Sequence, residues 1–159
     1  MCLIIDACVA AEVFAVPCGS DHQPIWDWLK SGGRIVFGGL LTRELNAIVN
    51  VRKRLLELWR AGVAHQVPDE AVESEERKVR ATGLCRSQDT HVLALALASG
   101  TRILCTNDAA LETDFKNPRL IPRPRGRVYK RAAHRRLLGH NSICLGRPRS
   151  RHGRSRDSR

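Results

Sequence analysis

The chain reads as an α/β protein, a three-layer α/β/α sandwich around a central, mostly parallel sheet, and three stretches predict it. Cys2-Leu-Ile-Ile is a β-rich run without alternation, as expected of a central parallel strand covered on both faces. Val92 to Ala98 is apolar at every position and rich in Leu and Ala, which marks a core helix. Arg102–Cys105 then supplies a second buried strand after a turn at Gly100.

The other elements follow in order. Ala7–Val16 reads as a helix or helical turn after the first strand. Pro24–Lys30 is a short helix with proline in its first turn, ended by Ser31-Gly-Gly. Arg34–Phe37 is a second strand. From Thr42 the pattern turns helical, with Leu45, Ile48, Val49, Leu55, Leu56 and Trp59 on one apolar stripe and Glu44 in the first turn. Val67-Pro68-Asp69 opens a highly charged helix to about Thr82, with Val72 and Val79 facing inward. Ser87 is the candidate N-cap of the core helix, with Asp89 in its first turn. Leu120-Ile121 reads as a last edge strand, and Val128-Tyr129 closes a domain spanning residues 1–129.

Charge separates the remainder. Residues 119–159 hold fourteen basic side chains against Asp157 alone, whereas residues 1–118 carry thirteen basic and fifteen acidic ones. The formal net charge of +11 therefore belongs to the tail. Residues 130–159 are expected to be largely disordered, because few apolar side chains are present to offset the ordering entropy. Arg123, Arg125, Arg127, Lys130 and Arg131 are the candidate nucleic-acid contacts, through counterion release rather than base reading. Six cysteines without a C-x-x-C pair point to reduced thiols in a cytoplasmic protein. Asp6 and Glu12 interrupt the apolar amino terminus, which argues against a signal peptide or a membrane span.

Four carboxylates occupy equivalent places. Asp6 follows the first strand, Glu44 and Asp89 open helices, and Asp108 follows the strand ending at Cys105. In a parallel sheet Asp6, Asp89 and Asp108 reach the rim formed by the strands' carboxyl ends, where ligands bind, while Glu44 is read first as a dipole-favoured surface acid and second as a group held at that rim. Converging carboxylates repel one another unless cations are present, and hard divalent ions such as Mg²⁺ or Mn²⁺ take oxygen ligands.

These motifs, Leu-Ile-Ile-Asp, Leu-Thr-Arg-Glu-Leu, Ser-Gln-Asp-Thr-His-Val-Leu-Ala-Leu-Ala and Leu-Cys-Thr-Asn-Asp followed by Asp-Phe, give the chain a resemblance to PIN-domain proteins over about residues 1–129. That family comprises metal-dependent nucleases and includes toxins of bacterial toxin–antitoxin pairs. The resemblance implies a Mg²⁺- or Mn²⁺-dependent endoribonuclease with Asp6, Glu44, Asp89 and Asp108 as metal-binding and catalytic residues. It also implies RNA as substrate, an antitoxin as partner where the chain is a toxin, and a homodimer. Thr106 matches the hydroxyl residue that precedes the last acid and orients a carboxylate or a water. Asp114 is read first as a helix-surface acid and second as an outer member of the site. His91 is read first as a satisfied histidine and second as a substrate-positioning group. Cys8 departs from the pattern, since the family carries a small polar residue there and a thiol is a poor hydrogen-bond substitute. The competing reading is a catalytically weak or inactive PIN-fold module that binds RNA. A phosphoaspartate protein fits less well, because Asp6 has no partner at Asp-x-Asp spacing.

Overall fold

The computed structural model describes residues 1–139. It is an α/β fold with five strands, all paired in parallel, in the order β3-β2-β1-β4-β5. The strands are β1 (Cys2–Ile5), β2 (Arg34–Gly38), β3 (Ala64–Val67), β4 (Ile103–Cys105) and β5 (Arg127–Tyr129). The helices are α1 (Ala7–Val13), α2 (Gln23–Lys30), α3 (Gly39–Ala47), α4 (Val49–Arg60), α5 (Asp69–Ala81), α6 (Thr90–Ser99) and α7 (Ala109–Lys116).

β1 is buried along its whole length, which is why its sequence is apolar without alternation. The chain first builds outward from β1 through β2 to β3, then returns to place β4 on the other side of β1. That reversal makes the β1–β4 boundary the topological switch point, the usual place of a crevice in an open α/β sheet. The register pairs Ile4 with Leu104 and Ile5 with Cys105, so Asp6 and Thr106 emerge side by side at the carboxyl rim.

α6 packs against α5 and against β2 and β3, and eight of its ten residues are buried. Gly100, at φ +73°, ends it in the left-handed conformation that favours glycine. α1 lies against α4, while α3 touches both α1 and α6 at the rim.

Several sequence readings change. The helix expected from Thr42 begins earlier, at Gly39, so Glu44 lies in its second turn. It also breaks at Ile48, whose extended backbone (φ −95°, ψ 110°) separates α3 from α4. The break rotates the apolar stripe out of register. Val51 and Leu55 are buried, whereas Val49, Leu56 and Trp59 are 66%, 42% and 52% exposed. β3 was not legible, because Ala-His-Gln-Val has neither alternation nor a long apolar run. Leu120 and Ile121 are buried but form no strand; their amides bond to the Asn117 carbonyl in a turn after α7.

The packed part also extends beyond Tyr129. Ala132–Gly139 forms a 3₁₀ helix against α2 and β5, with Leu138 buried. Tyr129 donates its hydroxyl to the Asp21 carbonyl, and the Ala132 amide bonds to the Asp21 side chain. The disorder expected of residues 140–159 lies outside the described residues. Cys8, Cys18, Cys85 and Cys105 are free thiols, as expected, but Cys2 is not. Among the described residues no helix is long and apolar enough to cross a membrane.

Candidate metal centre

Asp6 leaves β1 at the N-cap position of α1 without a side-chain capping bond, and it is only 5% exposed. Its Oδ2 accepts a hydrogen bond from Thr106 Oγ1 at 2.7 Å and another from Cys8 Sγ at 2.9 Å. The Thr106 hydroxyl in turn accepts from the Asp108 amide at 3.0 Å. One buried hydroxyl therefore fixes the carboxylate after β1 and the backbone after β4. Asp108 caps α7, with its Oδ1 accepting from the Leu111 amide at 2.8 Å.

The other half of the rim comes from α3 and α6. Asp89 is the N-cap residue of α6 but makes no side-chain capping bond. Ser87, two residues earlier, is therefore not the cap. Glu44 Oε2 lies 3.0 Å from His91 Nε2, and His91 is 3% exposed. Glu44, Asp89 and His91 each offer a ligand atom within 4.8 Å of the other two.

The electrostatics tie the two halves together. Burial raises the Asp89 pKa above its ordinary value, and the negative charge of Asp6 adds to the effect. His91 opposes the shift, while Asp108 and Glu44 reinforce it. Asp6 and Asp108 thus act on Asp89 through charge, whereas among the described residues Glu44, Asp89 and His91 are the group whose ligand atoms come within 4.8 Å of one another.

Asp114 does not sit on a helix surface. It is 1% exposed, and its carboxylate accepts the Arg86 amide at 2.9 and 3.1 Å and the Ser87 amide at 2.8 Å. Its structural task is to hold the segment that leads into Asp89.

Cys8 engages Asp6 directly, as well as lying 3.5 Å from Thr106 Oγ1. Burial and the Asp6 hydrogen bond push its thiol up, which keeps the proton on sulfur. Cys105, buried beneath the rim, is pushed up to about 12 by burial.

The five candidate nucleic-acid contacts divide between the two rims. Arg123 and Arg125 precede β5 and Arg127 opens it opposite Ile103, at the amino end of the sheet. Lys130 and Arg131 follow Tyr129 at the acidic rim, but Lys130 pairs with Glu112. Arg123, Arg125, Arg127 and Arg131 are exposed.

No protein-family model, curated protein or solved structure matches this chain.

Proposed function

We propose that this chain is a metal-dependent endoribonuclease of the PIN type, hydrolysing RNA phosphodiester bonds with Mg²⁺ or Mn²⁺. The observation that carries the reading is the cluster of Glu44, Asp89 and His91, whose ligand atoms lie within 4.8 Å of one another, with Asp6 and Asp108 near enough for their charges to act on Asp89. The donor set fits a hard divalent ion, since carboxylate oxygens dominate it and one imidazole stands beside them. Asp6 Oδ2 and Asp108 Oδ1 are taken by hydrogen bonds, leaving the other oxygen of each carboxylate for a cation.

Asp6, Glu44, Asp89 and Asp108 would hold the ion. When bound, it lowers the pKa of a water and neutralises charge developing on the phosphate. Thr106 aims the Asp6 carboxylate, and His91 holds Glu44. Asp114 fixes the approach to Asp89. In a toxin–antitoxin setting the enzyme acts on cytoplasmic RNA, and a protein antitoxin is its partner.

A second reading, a weak or inactive RNA-binding module, draws on Cys8, whose thiol covers part of Asp6. Cleavage of a labelled structured RNA with Mg²⁺ or Mn²⁺ separates the two. Metal-dependent cleavage that disappears in Asp6→Asn and in Asp108→Asn supports the nuclease. Binding without cleavage favours the module.

A further inference from the structure

The break at Ile48 leaves α4 with an exposed face that the fold does not use. Leu56 and Trp59 are 42% and 52% exposed on it, beside exposed Arg52, Lys53 and Arg60. With Arg54 and a single acid, Glu57, the helix carries a local positive excess within a domain whose first 118 residues are net acidic. Among the described residues Arg43, Arg52, Lys53 and Arg60 enter no ion pair.

Beside this face, between α3, α4 and the sheet edge at β3, runs a groove of about 250 Å³. Phe37, Leu56 and Trp59 give it apolar walls, Arg52 a cation, and Asn46 and Gln66 amide groups. Thr42 also lines it, and its buried hydroxyl has no hydrogen-bond partner. An aromatic wall with an adjacent guanidinium and amides suits a nucleobase: the ring stacks, and the amides meet its polar edge.

α3 links this groove to the acids. At about 100° per residue, Leu41 and Leu45 point into the core, with Glu44 on one flank and Thr42 and Asn46 on the other. Leu40, Arg43 and Ala47 lie across the top between those flanks; Leu40 is 47% exposed and Arg43 is exposed. A helix is roughly 10 Å across, a distance that one or two nucleotides span.

We propose that single-stranded RNA runs from the acid cluster over Arg43 into the groove between α3, α4 and β3, where a base stacks on Trp59. The assignment rests on the nuclease reading for its substrate class. It places the main RNA contact on α4 instead of on Arg123, Arg125 and Arg127, which sit at the opposite rim.

The test uses the full chain carrying Asp6→Asn, so that binding is read without cleavage, and a short labelled polyuridine strand. Trp28 is buried and Trp26 half-buried with its indole N–H donated to the Val13 carbonyl, so the part of the emission change on binding that is lost in Trp59→Phe reports Trp59. Quenching is expected, together with an affinity loss of about tenfold in Trp59→Ala that Trp59→Phe largely restores. Arg43→Ala with Arg52→Ala should flatten the salt dependence by about 0.7 per cation removed, while Arg123→Ala with Arg125→Ala leaves it nearly unchanged.

Unchanged RNA affinity and an unchanged emission response to RNA in Trp59→Ala would overturn the track, even if the wild type cleaves RNA. Conversely, Trp59-dependent binding by a chain that cleaves nothing would keep the track and remove the nuclease. A Trp59→Ala variant that binds RNA normally but dissociates a dimer would assign the face to a second copy and also overturn the proposal.

Discussion

The Asp6 carboxylate and the Thr106 hydroxyl are 2.7 Å apart, although 100 positions separate them in the chain. Their meeting follows from the parallel register of β1 and β4, which brings both residues to the rim in the same step. Because Thr106 Oγ1 also accepts the Asp108 amide, one side chain couples two of the four acids. Thr106→Val preserves the shape and removes both bonds. It should destabilise the fold by about 1–3 kcal/mol and reduce RNA cleavage at least tenfold, whereas Thr106→Ser retains most of both. Urea unfolding and single-turnover cleavage check the pair.

Asp114 makes a separate prediction, since three hydrogen bonds from two backbone amides converge on its buried carboxylate. Asp114→Asn turns an acceptor into a group that also presents N–H donors. A stability loss of about 2–3 kcal/mol is expected, measured by urea unfolding. Cleavage should fall in parallel, because the segment before Asp89 loses its anchor.

Cys8 touches the same Asp6 oxygen as Thr106. A serine hydroxyl is a stronger donor than a thiol. Cys8→Ser should therefore leave cleavage intact or raise it a few-fold under matched metal concentration. A tenfold fall would show that the thiol has a role of its own.

Glu112 provides a pH-dependent contribution away from the acid cluster. Burial alone would raise its pKa, but hydrogen bonds and charge from Lys116 and Lys130 outweigh that and lower it. A carboxylate whose folded pKa is depressed stabilises the fold above its unfolded pKa, and the contribution fades as pH falls through the folded value. Glu112→Gln should thus cost less than about 1 kcal/mol at neutral pH, Lys116 being exposed and Lys130 partly so. In thermal unfolding scans the difference should shrink as pH falls below the ordinary glutamate pKa and vanish only below the lowered folded one.

Much of this architecture was legible because it depends on long apolar runs. β1, α6 and β4 are buried on all sides, so their sequences show it, and the carboxylates that follow or precede them come to the rim by connectivity alone. Short edge elements carry less information. β3 has only two buried positions, and β5 is three residues long. The split at Ile48 was invisible to periodicity because the apolar spacing runs on through Ile48, Val49 and Leu55, although Asn46, Val49 and Asn50 are weak helix formers. The same break explains why Trp59, placed on a core stripe by spacing, faces solvent. Asp114 was misjudged for a different reason: local spacing cannot reveal that backbone amides 27 and 28 positions earlier converge on it.

The proposed nuclease requires Asp6, Glu44, Asp89 and Asp108 to act together as one divalent-cation site. The most direct measurement is calorimetric titration of Mn²⁺ into the wild-type chain and into Asp6→Asn, Asp89→Asn and Asp108→Asn. Saturable binding in the wild type, weakened at least tenfold in each variant, is the predicted result. Absence of binding in the wild type, or equal affinity in all four proteins, would contradict it.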